Sequence, residues 1–496
     1  MKYPILTADE AAALIANGDT IGIGGFSSVG TPKAVPSALA RRAASLHQQG
    51  KEFKIGLITG GASGNPVDNE LSQAKAVSFR TPFQSNKGMR DAINAHETQY
   101  FDLHLSQIGQ DVRYGFLGKI NVAILEVSEI TDEGDLVLST SVGISPTLAL
   151  VAEKIIIELN TKHSGKLRGM HDVFILETPP YRKAIPVFKP NQRAGSEVLK
   201  IDQKKVLGVV MTDSYDHLNP FKPLTETTQQ IGQNVASFLL DQWQKGRIPK
   251  EFLPLQSGVG NIANAVLGAL GEDTHLPALT MYTEVIQNSV IDLMLKERIS
   301  FATGSSLTLS EDQLCKMYDH LDFFKDRILL RPQEITNHPE TIRRLGIIAI
   351  NTALEADIFG NVNSTHVLGT KIMNGIGGSA DFSRNSYLSI FTCPSTAKGG
   401  LISSIVPQVS HVDSTEHDVR ILATEYGVAD LRGKSPSQRA RCIIENCAHP
   451  DYKQLLWDYL KLSEGKSYHT PMSLQNAFKM HLAYAETGDM HNTIFE

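Results

Sequence analysis

The sequence predicts an α/β fold in which helices cover a mainly parallel sheet. Three observations predict it. Short apolar runs alternate with helix-length stretches, several of those runs end in glycine-rich turns, and the second half of the chain repeats the order of the first.

The elements follow in order. Thr7-Ala8-Asp9-Glu10 ahead of residues 11–15 reads as a helix start, with Thr7 as N-cap and Glu10 at the capping-box position. Residues 20–24 are a short apolar run ending in glycine, a strand feeding the loop Gly24-Gly25-Phe26-Ser27-Ser28-Val29-Gly30-Thr31-Pro32. Pro32 suits the first turn of the next helix, which carries Ala34, Val35, Ala38 and Leu39. Residues 54–58 form the next strand and end at Thr59-Gly60-Gly61-Ala62-Ser63-Gly64. Further strands are expected over 122–126, 154–159, 173–176 and 206–211. Residues 212–223, with Asp213, Asp216, Asn219, Pro220 and Pro223, read as a domain linker, and a helix begins near Thr225.

The repeat rests on two pairs of segments. Ala34-Val35-Pro36-Ser37-Ala38-Leu39 and Ala265-Val266-Leu267-Gly268-Ala269-Leu270 each follow a glycine loop and lie 231 residues apart. The turns at 131–135 and 357–361 are each followed by a Ser-Thr pair, Ser139-Thr140 and Ser364-Thr365, 225 apart. Length alone, 496 residues, suggests about three domains. The repeat reduces that to two related α/β domains, 1–215 and 220–496, with a ligand crevice between them.

Composition narrows the function. Apolar residues are 41% and charged residues 20%, the balance of a globular chain rather than a disordered one. The net charge of −6 offers no global positive field to a nucleic-acid backbone. No apolar stretch is long enough to span a membrane, and the first residues resemble neither a signal peptide nor a transit peptide, so a cytoplasmic protein is expected. Cys315, Cys393, Cys442 and Cys447 make no disulfide framework and read as thiols of a reducing compartment.

Four segments could carry chemistry. Gln256-Ser257-Gly258-Val259-Gly260-Asn261 opens a helix and reads either as a plain turn or as a loop whose N–H groups meet a ligand oxygen; it has neither GxGxxG nor a P-loop lysine. Residues 278–285 read as a buried strand delivering Glu284 at or near its end, where the other repeat has only glycine. Glu284 is then either a salt-bridged strand-end residue or a nucleophile or general base. In Asn374-Gly375-Ile376-Gly377-Gly378-Ser379-Ala380-Asp381-Phe382, the glycines make a tight turn or present N–H groups to an oxyanion. His411, Asp413 and His417 invite a metal reading, but their spacing fits no closed tetrahedral site and a hydrogen-bonded polar loop is preferred. Glu425 stands at another expected strand end.

Taken together, QSGVGNIANAV, MYTEVIQ, EITNHPE, NSTHVLGTKIMNGIGGSADFSRNSY, VPQVSHVDSTEHDV and TEYGVADLRGKSPSQRA closely resemble the acetyl-CoA hydrolase/transferase family, and within it the bacterial branch acting on propionyl-CoA, succinyl-CoA and acetate. The resemblance covers nearly the whole chain. It implies two open α/β domains of the CoA-transferase (NagB/RpiA-like) fold with the active site between them. It implies that Glu284 carries a covalent glutamyl-CoA thioester, that Gly378 contributes an oxyanion-hole N–H, and that Asn337, Ser63 and Glu425 are accessory active-site residues. Gly258, Val259, Gly260, Asn261 and Ile262 match the CoA-binding loop, and Asn374 and Lys398 match CoA-contacting positions. The family's TEQG is TEYG here, with Tyr426, and its GGSGDF is GGSADF, with Ala380.

The implied activity is CoA transfer between acetate, propionate and succinate, with coenzyme A as substrate and covalent intermediate, no tightly bound cofactor, no metal and a homodimeric assembly. Three other readings use parts of the same chemistry: an acyl-CoA hydrolase that admits water, a non-catalytic acyl-CoA sensor, and a dinucleotide oxidoreductase, which the lack of GxGxxG opposes.

Overall fold

The computed structural model describes residues 2–163, 165–216, 218, 223–465 and 467–496. Its contacts divide into two compact units. Unit 1 comprises Met1–Pro220, Thr280–Leu345 and Asn374–Asp381; unit 2 comprises Phe221–Leu279, Gly346–Met373 and Phe382–Glu496.

Unit 1 is built on strands β1 (Thr20–Ile23), β2 (Ile55–Thr59), β3 (Val77–Thr81), β4 (Gln99–Tyr100), β5 (Val122–Ile130), β6 (Leu136–Leu138), β7 (Lys154–Asn160) and β8 (Val206–Thr212). Their order is β4-β3-β2-β1-β5-β7-β8, with β6 antiparallel to β5 and the rest parallel. The strands read as continuous apolar runs because helices cover both faces of a parallel sheet; all five residues of β2 are buried. Ile21, Ile23, Val35, Leu39, Ile55, Leu57, Val122 and Ile124 form one core.

The Thr7 capping box closes on Glu10 as expected, ahead of the helix Ala8–Ala13. The helix expected from Pro32 begins later, at Ala34–Gln48. Its first N–H groups, those of Lys33 and Ala34, donate to the Glu158 carboxylate on β7, a cap drawn from 125 residues away. The expected strand over 173–176 does not form. Val173 makes only an isolated antiparallel bridge to Ser196, and Pro179-Pro180 follows. Within the expected linker, residues 217 and 219–222 lie outside the described residues. Asp216 is no linker residue: it is held by Lys33, Thr140 and the Gly30 N–H.

The contacts place Glu284 in unit 1. The cause is a run of hydrogen bonds tying Thr280–Leu345 to the first 220 residues. Val142 N–H donates to Ser305 O (2.9 Å), Leu307 N–H to Thr140 O (2.8 Å) and Gln333 N–H to Gly143 O (3.1 Å). The fully buried ion pair Arg331–Asp172 adds to them.

Unit 2 carries parallel strands in the order Leu255–Ser257, Ile348–Thr352, Leu388–Thr392 and Ile421–Thr424, closed by antiparallel Gly427–Asp430. Its core includes Phe391, Leu422, Ile443, Ile444, Tyr452 and Leu456. The helix expected near Thr225 is Glu226–Gln244, capped by a Thr225–Thr228 box. Both expected turns are hairpins: β5–β6, and Glu355–Asp357 with Val362–Asn363. In the second, Asp357 Oδ1 accepts the N–H groups of Phe359, Gly360 and Asn361. No helix among the described residues is long and apolar enough to cross a membrane.

Candidate active site

Glu284 sits where a strand breaks. Leu279–Tyr282 ends, and Val285–Gln287 begins a new pairing with Ser306–Thr308. The backbone is pinned through the break: Thr283 N–H donates to Thr303 O (2.9 Å), and Glu284 O accepts from Ser305 N–H (2.7 Å) and Ser306 N–H (3.1 Å). The side chain thus projects from a rigid base with part of its residue surface still open.

Asn337 follows the short helix Gln333–Thr336 and is fully buried. Its Nδ2 donates to Glu284 Oε1 and, at 3.3 Å, to Asp381 Oδ2, while its Oδ1 accepts from Thr336 Oγ1 at 2.9 Å. Gly378 packs against both: a Cβ built there would overlap the Glu284 carboxylate and the Asn337 amide. Only glycine permits that approach. Burial pushes Glu284 up to about 7, opposed by the Asn337 hydrogen bond and reinforced by the Asp381 charge. Asp381 is raised to about 6, again by burial first. Phe26, Leu105 and Val285, with Phe83 against them, form an apolar cluster that includes the residue next to Glu284. Phe26 lies against Gly61 and Phe83 against Gly377. A carboxylate poised near neutrality can attack a carbonyl, and an amide N–H or backbone N–H beside it can donate to the resulting oxyanion.

The other expected site residues fall in different places. Ser63 is buried in the 60–64 loop, where its hydroxyl donates to Gly61 O and its N–H to Asp68, itself paired with Arg80; these bonds do not reach Glu284. Asn374 lies in unit 1, its Nδ2 donating to Gly375 O. The remaining candidates belong to unit 2. Gly258, Val259, Gly260, Asn261 and Ile262 join a strand to the helix Asn261–Glu272. Gly260 has φ +126° with nothing near its missing Cβ, so glycine serves the backbone there rather than a tight neighbour. Lys398 is exposed in a turn at φ +52°. Glu425 accepts from the Ser395 N–H and hydroxyl, and its own carbonyl accepts from Asn234. Tyr426 is 46% exposed and meets His449 edge-on.

The polar-loop reading of 411–417 has support: Asp413 accepts from Ser364 and Thr365, and His411 lies against His366. The described residues whose ligand atoms could converge on a metal lie elsewhere, at Glu126, His163 and Asp216. There the Lys33 ammonium already pairs with both carboxylates. All four cysteines are free thiols.

Sequence reasoning missed Asp381 and Ser106. Asp381 stands in the GGSADF stretch, but Ser106 is 275 residues away and no local pattern marks it. It also missed the charge cluster of Lys33, Glu126 and Asp216.

The family models for the acetyl-CoA hydrolase/transferase N-terminal and C-terminal domains match residues 2–211 and 314–460. A propanoyl-CoA:succinate CoA transferase from Escherichia coli is 48% identical, over 99% of both chains. A succinyl-CoA:acetate CoA-transferase from Clostridium kluyveri is 45% identical, over 99% of this chain and 90% of the relative. An acetyl-CoA hydrolase from Schizosaccharomyces pombe is 44% identical, over 96% and 93%. Among solved structures, a 4-hydroxybutyrate CoA-transferase from Porphyromonas gingivalis shares the fold at TM-score 0.62 and 22% identity, over 92% of this chain and 97% of that one.

Proposed function

The chain belongs to the acetyl-CoA hydrolase/transferase family and is an enzyme of the CoA-transferase class (EC 2.8.3); on that premise we propose that it moves CoA between acetate, propionate and succinate by ping-pong exchange through Glu284. The observation that carries this reading is the Glu284 carboxylate held between the Asn337 amide and Gly378.

The steps balance without a redox partner. Glu284 attacks the acyl-CoA carbonyl, and collapse of the oxyanion expels CoA thiolate and leaves a mixed anhydride. The thiolate attacks the glutamyl carbonyl, releasing the first carboxylate and forming glutamyl-CoA. The second acid attacks that thioester, thiolate leaves, and its return to the new acyl carbonyl regenerates Glu284. Each attack builds an oxyanion, and one donor to it contributes about 2.7–4 kcal/mol. Gly378 N–H and Asn337 Nδ2 are the proposed donors. Family resemblance extends the proposal to CoA contacts at Gly258, Val259, Gly260, Asn261, Ile262, Asn374 and Lys398, to accessory roles for Ser63 and Glu425, and to a cytoplasmic homodimer.

The test is incubation with acetyl-, propionyl- or succinyl-CoA, then borohydride, then peptide mapping. Modification of Glu284 with loss of activity is expected, and inactivation with an unmodified Glu284 peptide rejects the nucleophile. The hydrolase relative keeps a second reading in play. Acid-dependent exchange far faster than hydrolysis separates the two.

A further inference from the structure

Resting on the reading of Glu284 as nucleophile, we propose that Asp381 is the positioning residue of this site: it sets which way the Asn337 amide faces and anchors the glycine turn against Glu284.

The amide argument is one of donor and acceptor count. Asn337 has one acceptor and two N–H donors at its amide end. The acceptor is taken by Thr336 Oγ1, and the nitrogen faces Glu284 Oε1 and Asp381 Oδ2. An ionised carboxylate only accepts, so a flipped Asn337 would aim its oxygen at two acceptors. Asp381 therefore helps hold the orientation in which Asn337 donates to the nucleophile.

The anchoring argument is one of geometry. Ser106 donates to Asp381 twice, from its hydroxyl (2.6 Å) and its N–H (3.0 Å). Four residues earlier, Asp102 Oδ2 accepts the Ile376 N–H at 2.8 Å. Residues 102–106 thus hold the segment 376–381 at both ends, with Gly377 and Gly378 between the two clamps. Asp381 is 5% exposed. Charged or titratable groups facing it include Glu284 and His104, whose Nδ1 is 3.9 Å from Oδ1. Enclosed by Ser106 and Asn337, it acts through Asn337 and the turn.

The experiment compares Asp381→Asn and Ser106→Ala with wild type in full CoA-exchange kinetics across pH. Asp381→Asn keeps the shape and removes the charge. We expect kcat to fall about tenfold to a hundredfold with KM for acyl-CoA within threefold, the scale of a misplaced reacting group. Because the Asp381 charge raises Glu284, the acid limb should also move to lower pH in this variant. Ser106→Ala keeps the Asp381 side chain but removes one of its two Ser106 bonds, so kcat should drop several-fold. Wild-type kcat in either variant overturns the proposal, as does a fall in Asp381→Asn with the acid limb unmoved. Should Asp381→Asn not fold, Ser106→Ala decides. The borohydride trap runs in parallel on wild type: if it leaves Glu284 unmodified, the nucleophile reading fails, whatever the variants show.

Discussion

Gly378→Ala puts the central contact of the site to the test. Gly378 is outside the left-handed region, so alanine adds no backbone strain there. The whole effect comes from one methyl group, which would occupy the space of the Glu284 carboxylate and the Asn337 amide. Both groups are tethered: Glu284 by a backbone pinned to Ser305 and Ser306, Asn337 by Thr336 and Asp381. Relief must come from turning the carboxylate or shifting the turn. Misplacing a reacting group by roughly 1 Å costs about 10²-fold, or about 2.7 kcal/mol of barrier. The overpacking itself costs about 1–3 kcal/mol of stability, which a folded enzyme of this size tolerates. The assay is succinyl-CoA:acetate exchange at saturation, paired with thermal unfolding and the borohydride trap. We expect kcat down at least about a hundredfold in a protein that still unfolds cooperatively. A kcat within threefold of wild type would refute the close-packed arrangement of Gly378, Glu284 and Asn337.

Four further outcomes follow from the same structure. With Glu284 raised to about 7, kcat/KM should fall as pH drops through 7 and lie about tenfold below its plateau at pH 6; a flat profile from pH 6 to 8 contradicts this. Asn337→Ala removes a hydrogen bond that favours ionised Glu284, so the acid limb should move up in pH while kcat falls about 10²–10³-fold. Arg331→Leu leaves the fully buried Asp172 without its cation and should cost about 3–5 kcal/mol in denaturant unfolding, and a loss below about 1 kcal/mol would count against the pair. Lys33→Met removes the ammonium between Glu126 and Asp216, so the stability deficit should be larger at pH 8, where both buried carboxylates must ionise, than at pH 6.

What the sequence made legible was local. The Thr7–Glu10 and Thr225 caps need only neighbours three residues apart, and they form. The apolar runs of β1, β2, β7 and β8 are visible because both faces of a parallel sheet demand them. The start of Ala34–Gln48 was misread because its cap is Glu158, supplied by another strand. Residues 173–176 have strand-like composition but only one bridging partner. In the site, Glu284, Asn337 and Gly378 stood out through motif resemblance, and the structure brings those three together. Asp381 and Ser106 did not, because their meaning lies in a contact spanning 275 positions.

Unit 1 closes late in synthesis. Its first stretch ends at Pro220, but its last ends at Asp381. At about 5–20 residues per second, the ribosome needs roughly 8–32 s to make the intervening stretch. Through that interval Asp172 waits for Arg331 and Ser106 for Asp381. The strand Leu255–Ser257 of unit 2 emerges before unit 1 is complete. A nascent chain stalled near residue 220 therefore holds a sheet without its closing segments. Expression of the first 220 residues alone should therefore yield insoluble or degraded protein, which a solubility assay of that fragment checks.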